Sequence, residues 1–250
     1  MTETVTSAAD EFYIGYEGHM PCGMARRVLS VVGLFACGSA AVVALWLGTQ
    51  HRLAASRFEF GTVTQVTGVL GHAPYPSVAS GGRLVWLVGP GKFGADRMLT
   101  GTPDGPIVVA GSAIQRGNVR MLEVAGVTAD AERRFGVPPR NAGSASPPRT
   151  VTLRGEIVDS KCFLGVMNPG EGTVHRDCAR RCLSGGIPPM LLVRDGGGRE
   201  ALVVLVSEDG LPIARGVAPI AGRPVTVTGR LVRNGDTWML YAGADAYAAR

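Results

Sequence analysis

The sequence predicts a mainly β protein: one apolar N-terminal helix followed by two tandem small OB-like β-barrels, the second carrying a short helical Cys/His insert. Three observations carry this prediction. An uncharged apolar run near the N-terminus has the length of a bilayer crossing. Glycine (36) and proline (16) are abundant in 250 residues, which suits many turns and short strands. A β-rich unit also occurs twice.

The apolar run is residues 28–49, VLSVVGLFACGSAAVVALWLGT, bracketed by Arg26-Arg27 and His51-Arg52. As a helix it spans roughly 30 Å, the thickness of a bilayer core. A cleaved signal peptide would have a shorter apolar core and a better small-residue site than Leu53-Ala54-Ala55. The run therefore reads as a single-pass anchor of the cytoplasmic (inner) membrane. Residues 1–27 form a cytoplasmic segment in this reading, and the C-terminal domains lie in the periplasm or outside the cell. Arginines on both sides nearly balance the positive-inside count.

Short β-rich runs follow at 62–70, 83–88, 106–114 and 119–124. Thr128 then caps a short helix ended by Gly136. The first barrel takes residues 56–136, and the Pro/Ser/Gly stretch 137–149 is a linker. The second domain, 150–250, has strands at 150–158, 190–193, 201–206, 224–232 and 237–241, with an insert at 159–189. The repeat aligns Pro106–Ala125 with Pro224–Gly243 without a gap. Both copies read as hairpins turning at Gly117-Asn118 and Gly235-Asp236, where glycine supplies positive φ. Gly68 and Gly155 occupy matching places in the first strands, where a small barrel must bend.

Composition excludes several classes. Hydrophobic residues at 46% and charged residues at 18% exclude a disordered chain. Net charge is +5, and 23 of the 25 basic residues are arginines; only Lys92 and Lys161 are lysines. With no lysine-rich tract, a pI of 9.2 does not imply a nucleic-acid partner. Five cysteines are too few for a disulfide scaffold of this length. The loop Gly89–Gly94 lacks the ending of a phosphate loop and reads as a turn. His72 and Tyr75 fall in a surface loop. There is no nucleophile elbow, dinucleotide fingerprint or paired catalytic carboxylate, so no catalytic residue is assigned.

The insert concentrates the chemistry. Thr173 caps a predicted helix over 174–184, stopped by Gly185-Gly186. On it His175, Cys178 and Cys182 fall within roughly 60° of one another. Cys162 ends the preceding strand and folds back over that face, and Asp159 is placed to orient His175. Cys162, His175, Cys178 and Cys182 suffice for zinc, and would suit an iron–sulfur cluster or copper. Met167 is a further soft ligand. Two alternatives stand beside the metal site: a disulfide from Cys162 to Cys178 or Cys182, with no cofactor, and a redox-active thiol. The spacing excludes a C-x-x-C-H haem attachment, and the single histidine excludes Rieske and blue-copper sets. Cys22 and Cys37 lie apart, before and within the apolar run.

The segment G-E-I-V-D…C…H-x-x-C-A-x-x-C…G-I-P, residues 155–188, resembles a motif of bacterial membrane-anchored or exported proteins of largely unassigned function. EFYIGY ahead of a single anchor is similar to the same group. The resemblance implies a respiratory or redox-associated accessory protein, with Cys162, His175, Cys178 and Cys182 at the motif positions. The expectation is an accessory or assembly subunit of a membrane-bound redox complex, with other subunits and the bilayer as partners. A thiol-disulfide or metal-dependent oxidoreductase and a ligand-binding module with a disulfide staple are the other readings.

Overall fold

A computed structural model describes residues 20–50, 56–129 and 146–249. The chain divides into two compact units, Met1–Ala54 and Ala55–Arg250. The first unit contains helix α1, Cys22–Gln50. Within its stretch Cys22–Gly48 the most apolar 18-residue window has a mean hydropathy of 2.4, and none of that window is buried. It is long and apolar enough to cross a bilayer. The helix begins before the expected 28–49, because Arg26 and Arg27 are good helix formers and join its first turns.

The second unit holds two barrels of the same topology. In the first, β1 is Ser56–Phe58, β2 Thr64–Gly71, β3 Ser77–Ser80, β4 Arg83–Val88, β5 Gly105–Arg116 and β6 Val119–Ala129. In the second, β7 is Arg149–Asp159, β8 Pro189–Arg194, β9 Glu200–Val206, β10 Pro224–Asn234, β11 Thr237–Tyr241 and β12 Tyr247–Ala249. Barrel one runs β2-β3-β4-β6-β5 and closes β5 on β2. Barrel two runs β7-β8-β9-β11-β10 and closes β10 on β7. Within each barrel the third and fifth strands are parallel, β4 with β6 and β9 with β11, and the other barrel pairs are antiparallel. That is the OB arrangement. Outside the barrels, β1 adds to β5 and β12 to β10.

The duplication is visible in matching glycines. A Cβ on Gly68 would lie 2.2 Å from the Ala79 carbonyl oxygen, and one on Gly155 would lie 2.3 Å from that of Leu192. Neither backbone oxygen can yield, so a side chain is excluded where the first strand coils across the second. The hairpin turns have Gly117 at φ 58 and Gly235 at φ 59, as the repeat predicts.

Three short strands, β1, β3 and β12, have no sequence signal, since three or four residues cannot show a period of two. The cap expected at Thr128 is corrected: Thr128 lies in β6, paired with Val108. A bulge at Ala110/Gly111 lets β6 follow β5 to Ala129, and sheet pairing prevails over a local capping signal. The rest of that expected helix and most of the linker fall outside the described residues.

Each barrel has its own core, around Leu87 and Leu122 in the first and Leu191 and Leu240 in the second, and a third cluster is shared at the seam. Trp86 and Met121 of barrel one and Val204 and Met239 of barrel two belong to a single buried cluster with Phe163 of the insert. Trp86 pairs with Met121, and Val204 with Met239, at equivalent places on the two parallel ladders. Tyr75 is also corrected. It is buried, and its hydroxyl donates to the Leu205 carbonyl at 3.0 Å and accepts the Ile213 N–H at 2.9 Å. Burial pushes its hydroxyl pKa far up, so it serves only as a neutral donor and acceptor. Across the same seam Arg116 meets Glu200 at 2.7 Å and stacks on Phe163 at 4.0 Å.

Tyr75→Phe strands a buried carbonyl and a buried N–H, and lowers stability by about 1–3 kcal/mol in urea unfolding of the full chain. Burial pushes the Glu200 carboxyl up, but Arg194 and Arg116 outweigh it and hold Glu200 below its ordinary value. Its contribution is complete above about pH 4.3 and is lost as pH falls through the lowered folded value. Glu200→Gln is expected to cost up to about 1 kcal/mol at neutral pH and almost nothing near pH 2, measured by urea midpoints.

Candidate metal centre at the barrel seam

The insert connects β7 to β8. It opens with Asp159, Ser160 and Lys161, all buried, and a single wide turn at Cys162–Val166. It then forms helix α2, Arg176–Ser184. The helix starts later than expected: His175 holds the capping position without a side-chain hydrogen bond. Ile187 N–H bonds back to the Cys182 carbonyl at 3.1 Å, closing the helix end beside Gly185-Gly186.

This fold brings three thiols together. Cys162 Sγ is 4.0 Å from Cys178 Sγ and 4.0 Å from Cys182 Sγ. The sulfurs are therefore not bonded, since a disulfide needs about 2.05 Å. Four tetrahedral ligands with zinc–sulfur bonds of about 2.3 Å place sulfurs about 3.8 Å apart. The cluster has that spacing. The three ligand atoms all lie within 4.8 Å of one another.

His175 stands in a second, overlapping group with Asp159 and Cys162. Its Nε2 is 2.9 Å from Asp159 Oδ2, and both residues are buried. Asp159 Oδ1 accepts the Cys162 N–H at 2.9 Å. One carboxylate thus fixes both the histidine ring and the backbone of the first cysteine. Asp159 stands at the end of β7 and faces His175 from there. Cys162 is the residue common to the two groups. Met167 is exposed. Cys22 and Cys37 are exposed free thiols on α1.

Sequence reasoning missed the lysines. The Gly89–Gly94 loop of barrel one is a turn, closed by Gly89 N–H on the Phe93 carbonyl at 2.9 Å. It delivers Lys92 to the cluster, where Nζ is 2.7 Å from Cys178 Sγ and 3.9 Å from Cys182 Sγ. Lys161, next to Cys162, is itself buried and binds the Gly89 and Gly91 carbonyls at 2.9 and 2.7 Å while pairing with Glu123. Both lysines of the chain thus serve one place, which their rarity against 23 arginines could have suggested. The approach is tight. Gly94 N–H bonds the Gly185 carbonyl at 3.0 Å, and a Cβ on Gly185 would lie 1.9 Å from the Lys92 carbonyl oxygen.

The electrostatics follow from these contacts. The hydrogen bond to Cys178 holds Lys92 above its ordinary pKa, so it stays a cation. The hydrogen bond with Cys182 pushes the Cys162 thiol up, with burial and the Asp159 charge adding to it. The same bond pushes Cys182 down, with help from Lys92.

No family model, curated protein or solved structure matches the chain.

His175→Ala leaves the Asp159 carboxylate buried without its ring partner and is expected to cost about 3–5 kcal/mol. The pair His175→Ala with Asp159→Ala is expected to cost less than the sum of the single changes, read from a denaturation double-mutant cycle.

Proposed function

We propose that the chain is a membrane-anchored accessory or assembly subunit of a redox complex, with a thiolate metal centre that ties its two barrels together. The observation that carries this reading is the meeting of three thiols from barrel two with a lysine from barrel one. A divalent cation with three thiolates has a net charge of −1, and the Lys92 ammonium balances it at hydrogen-bond distance from Cys178. Zinc suits this donor set best among the cations considered, because it accepts three sulfurs and a fourth ligand without redox demands. Cys162, Cys178 and Cys182 would hold it, and His175 stands beside Cys162 in the overlapping group.

The structural role is favoured over catalysis by burial. Cys162, Cys182 and His175 have at most 4% exposure, so a cation there has little room for a water or substrate. The apolar helix α1 supports attachment to a bilayer, and the motif around Cys162 and Cys178 supports a redox-associated context. Partners would then be other subunits of the complex.

The test is metal analysis of the full chain purified in mild detergent. One zinc ion per chain is expected, and cobalt exchange is expected to give tetrahedral thiolate absorption. Cys162→Ser, Cys178→Ser and Cys182→Ser should each weaken binding by more than the roughly 10–100-fold typical of losing an outer partner. A purified chain without stoichiometric metal, and with no thiolate bands on cobalt addition, would refute the metal centre.

A further inference from the structure

We propose that the Lys92–Cys178 contact is an oxidative modification site, at which one oxygen atom bridges the lysine nitrogen and the cysteine sulfur. The separation of 2.7 Å is the observation that points there. It is at the short end of what nitrogen makes with oxygen, although sulfur is the larger atom. Two single bonds meeting at an oxygen span a gap of that size. The neighbouring sulfur is worse placed: Cys162 Sγ is 4.0 Å away and would have to close by about 2 Å to form a disulfide.

Access differs in the same direction. Cys162 and Cys182 are buried, whereas Cys178 is only half-buried, so an oxidant reaches Cys178 first. The lysine stays in place because Lys161 grips the carbonyls of Gly89 and Gly91 on either side of the turn. The oxidant is dioxygen. The Lys92 amine and the Cys178 thiol each lose hydrogen, an N–O and an O–S bond form, and the second oxygen atom leaves as water. Nitrogen and sulfur each give up two electrons, and the four reduce dioxygen. Counted from the Lys92 ammonium, the step also releases one proton to solvent.

The bridge would join the barrel-one turn to α2 covalently and take one thiol out of the metal set. It goes beyond the metal reading and does not require it, because apo protein is the reacting form.

The chain's own tryptic map makes the test direct. Trypsin places Cys162, Cys178 and Cys182 on separate peptides, with Cys178 in 177–180 and a blocked Lys92 within 84–97. Full-length chain in detergent, stripped of metal by chelator, is held in oxygenated buffer and digested without reductant. The expected product is peptide 84–97 joined to 177–180, heavier than their sum by one oxygen less two hydrogens, and released by a thiol reductant. Lys92→Arg, which keeps the positive charge, should abolish it. Three results would overturn the proposal: only disulfide-linked cysteine peptides, a link from Lys92 to Cys182, or no link with Lys92 cleaved normally. Metal content of an untreated sample is measured in parallel, so an absent metal and an absent bridge are separate failures.

Discussion

Burial at the seam between the barrels governs the rest of the structure. Each small barrel has a face too apolar to leave in water, and the two faces bury one another around Trp86, Met121, Val204 and Met239. Burying a large apolar side chain contributes about 1.5–3 kcal/mol, so several such residues outweigh any single polar contact across the seam. Once that face is joined, the polar groups along its rim have no freedom to choose partners. Tyr75 must bond within barrel two, Arg116 must meet Glu200, and the Gly89–Gly94 turn must lie against α2.

The cysteine cluster is a consequence of that docking. α2 and the turn after β7 bring the three sulfurs together within barrel two, but barrel one supplies the neighbouring cation. The arrangement couples three levels: an insert in one repeat, a turn in the other, and the burial that holds them. Lys161 connects them most closely, because it is adjacent to Cys162 in sequence and grips the turn that carries Lys92. A lysine taken out of water is costly unless it is paired, and Lys161 is buried while Lys92 is half-buried. Here the partners are Glu123 and carbonyls for one, and sulfur for the other.

Short apolar runs bounded by turn residues were legible in sequence. Arg83–Val88 and Thr237–Tyr241 have the bounds their pattern predicts, and the Gly117 and Gly235 turns follow from the repeat. The three cysteines on and beside one helix face were legible as well. Thr128 was misread because its helix signal is local, whereas its strand depends on β5. Lys92 and Tyr75 were not legible. Each acts more than 80 residues away, at Cys178 and at Leu205, and no spacing within a loop reports such a contact.

By itself the sequence determined the apolar helix, the repeated barrel unit, and the concentration of Cys162, His175, Cys178 and Cys182 in one insert. These rest on hydrophobic period, turn chemistry and helix geometry, which act over a few residues. Only the tertiary structure decided that the sulfurs stand 4.0 Å apart, that His175 is held by Asp159, and that Lys92 faces Cys178. Those depend on two barrels burying a common face, which places residues from distant segments side by side.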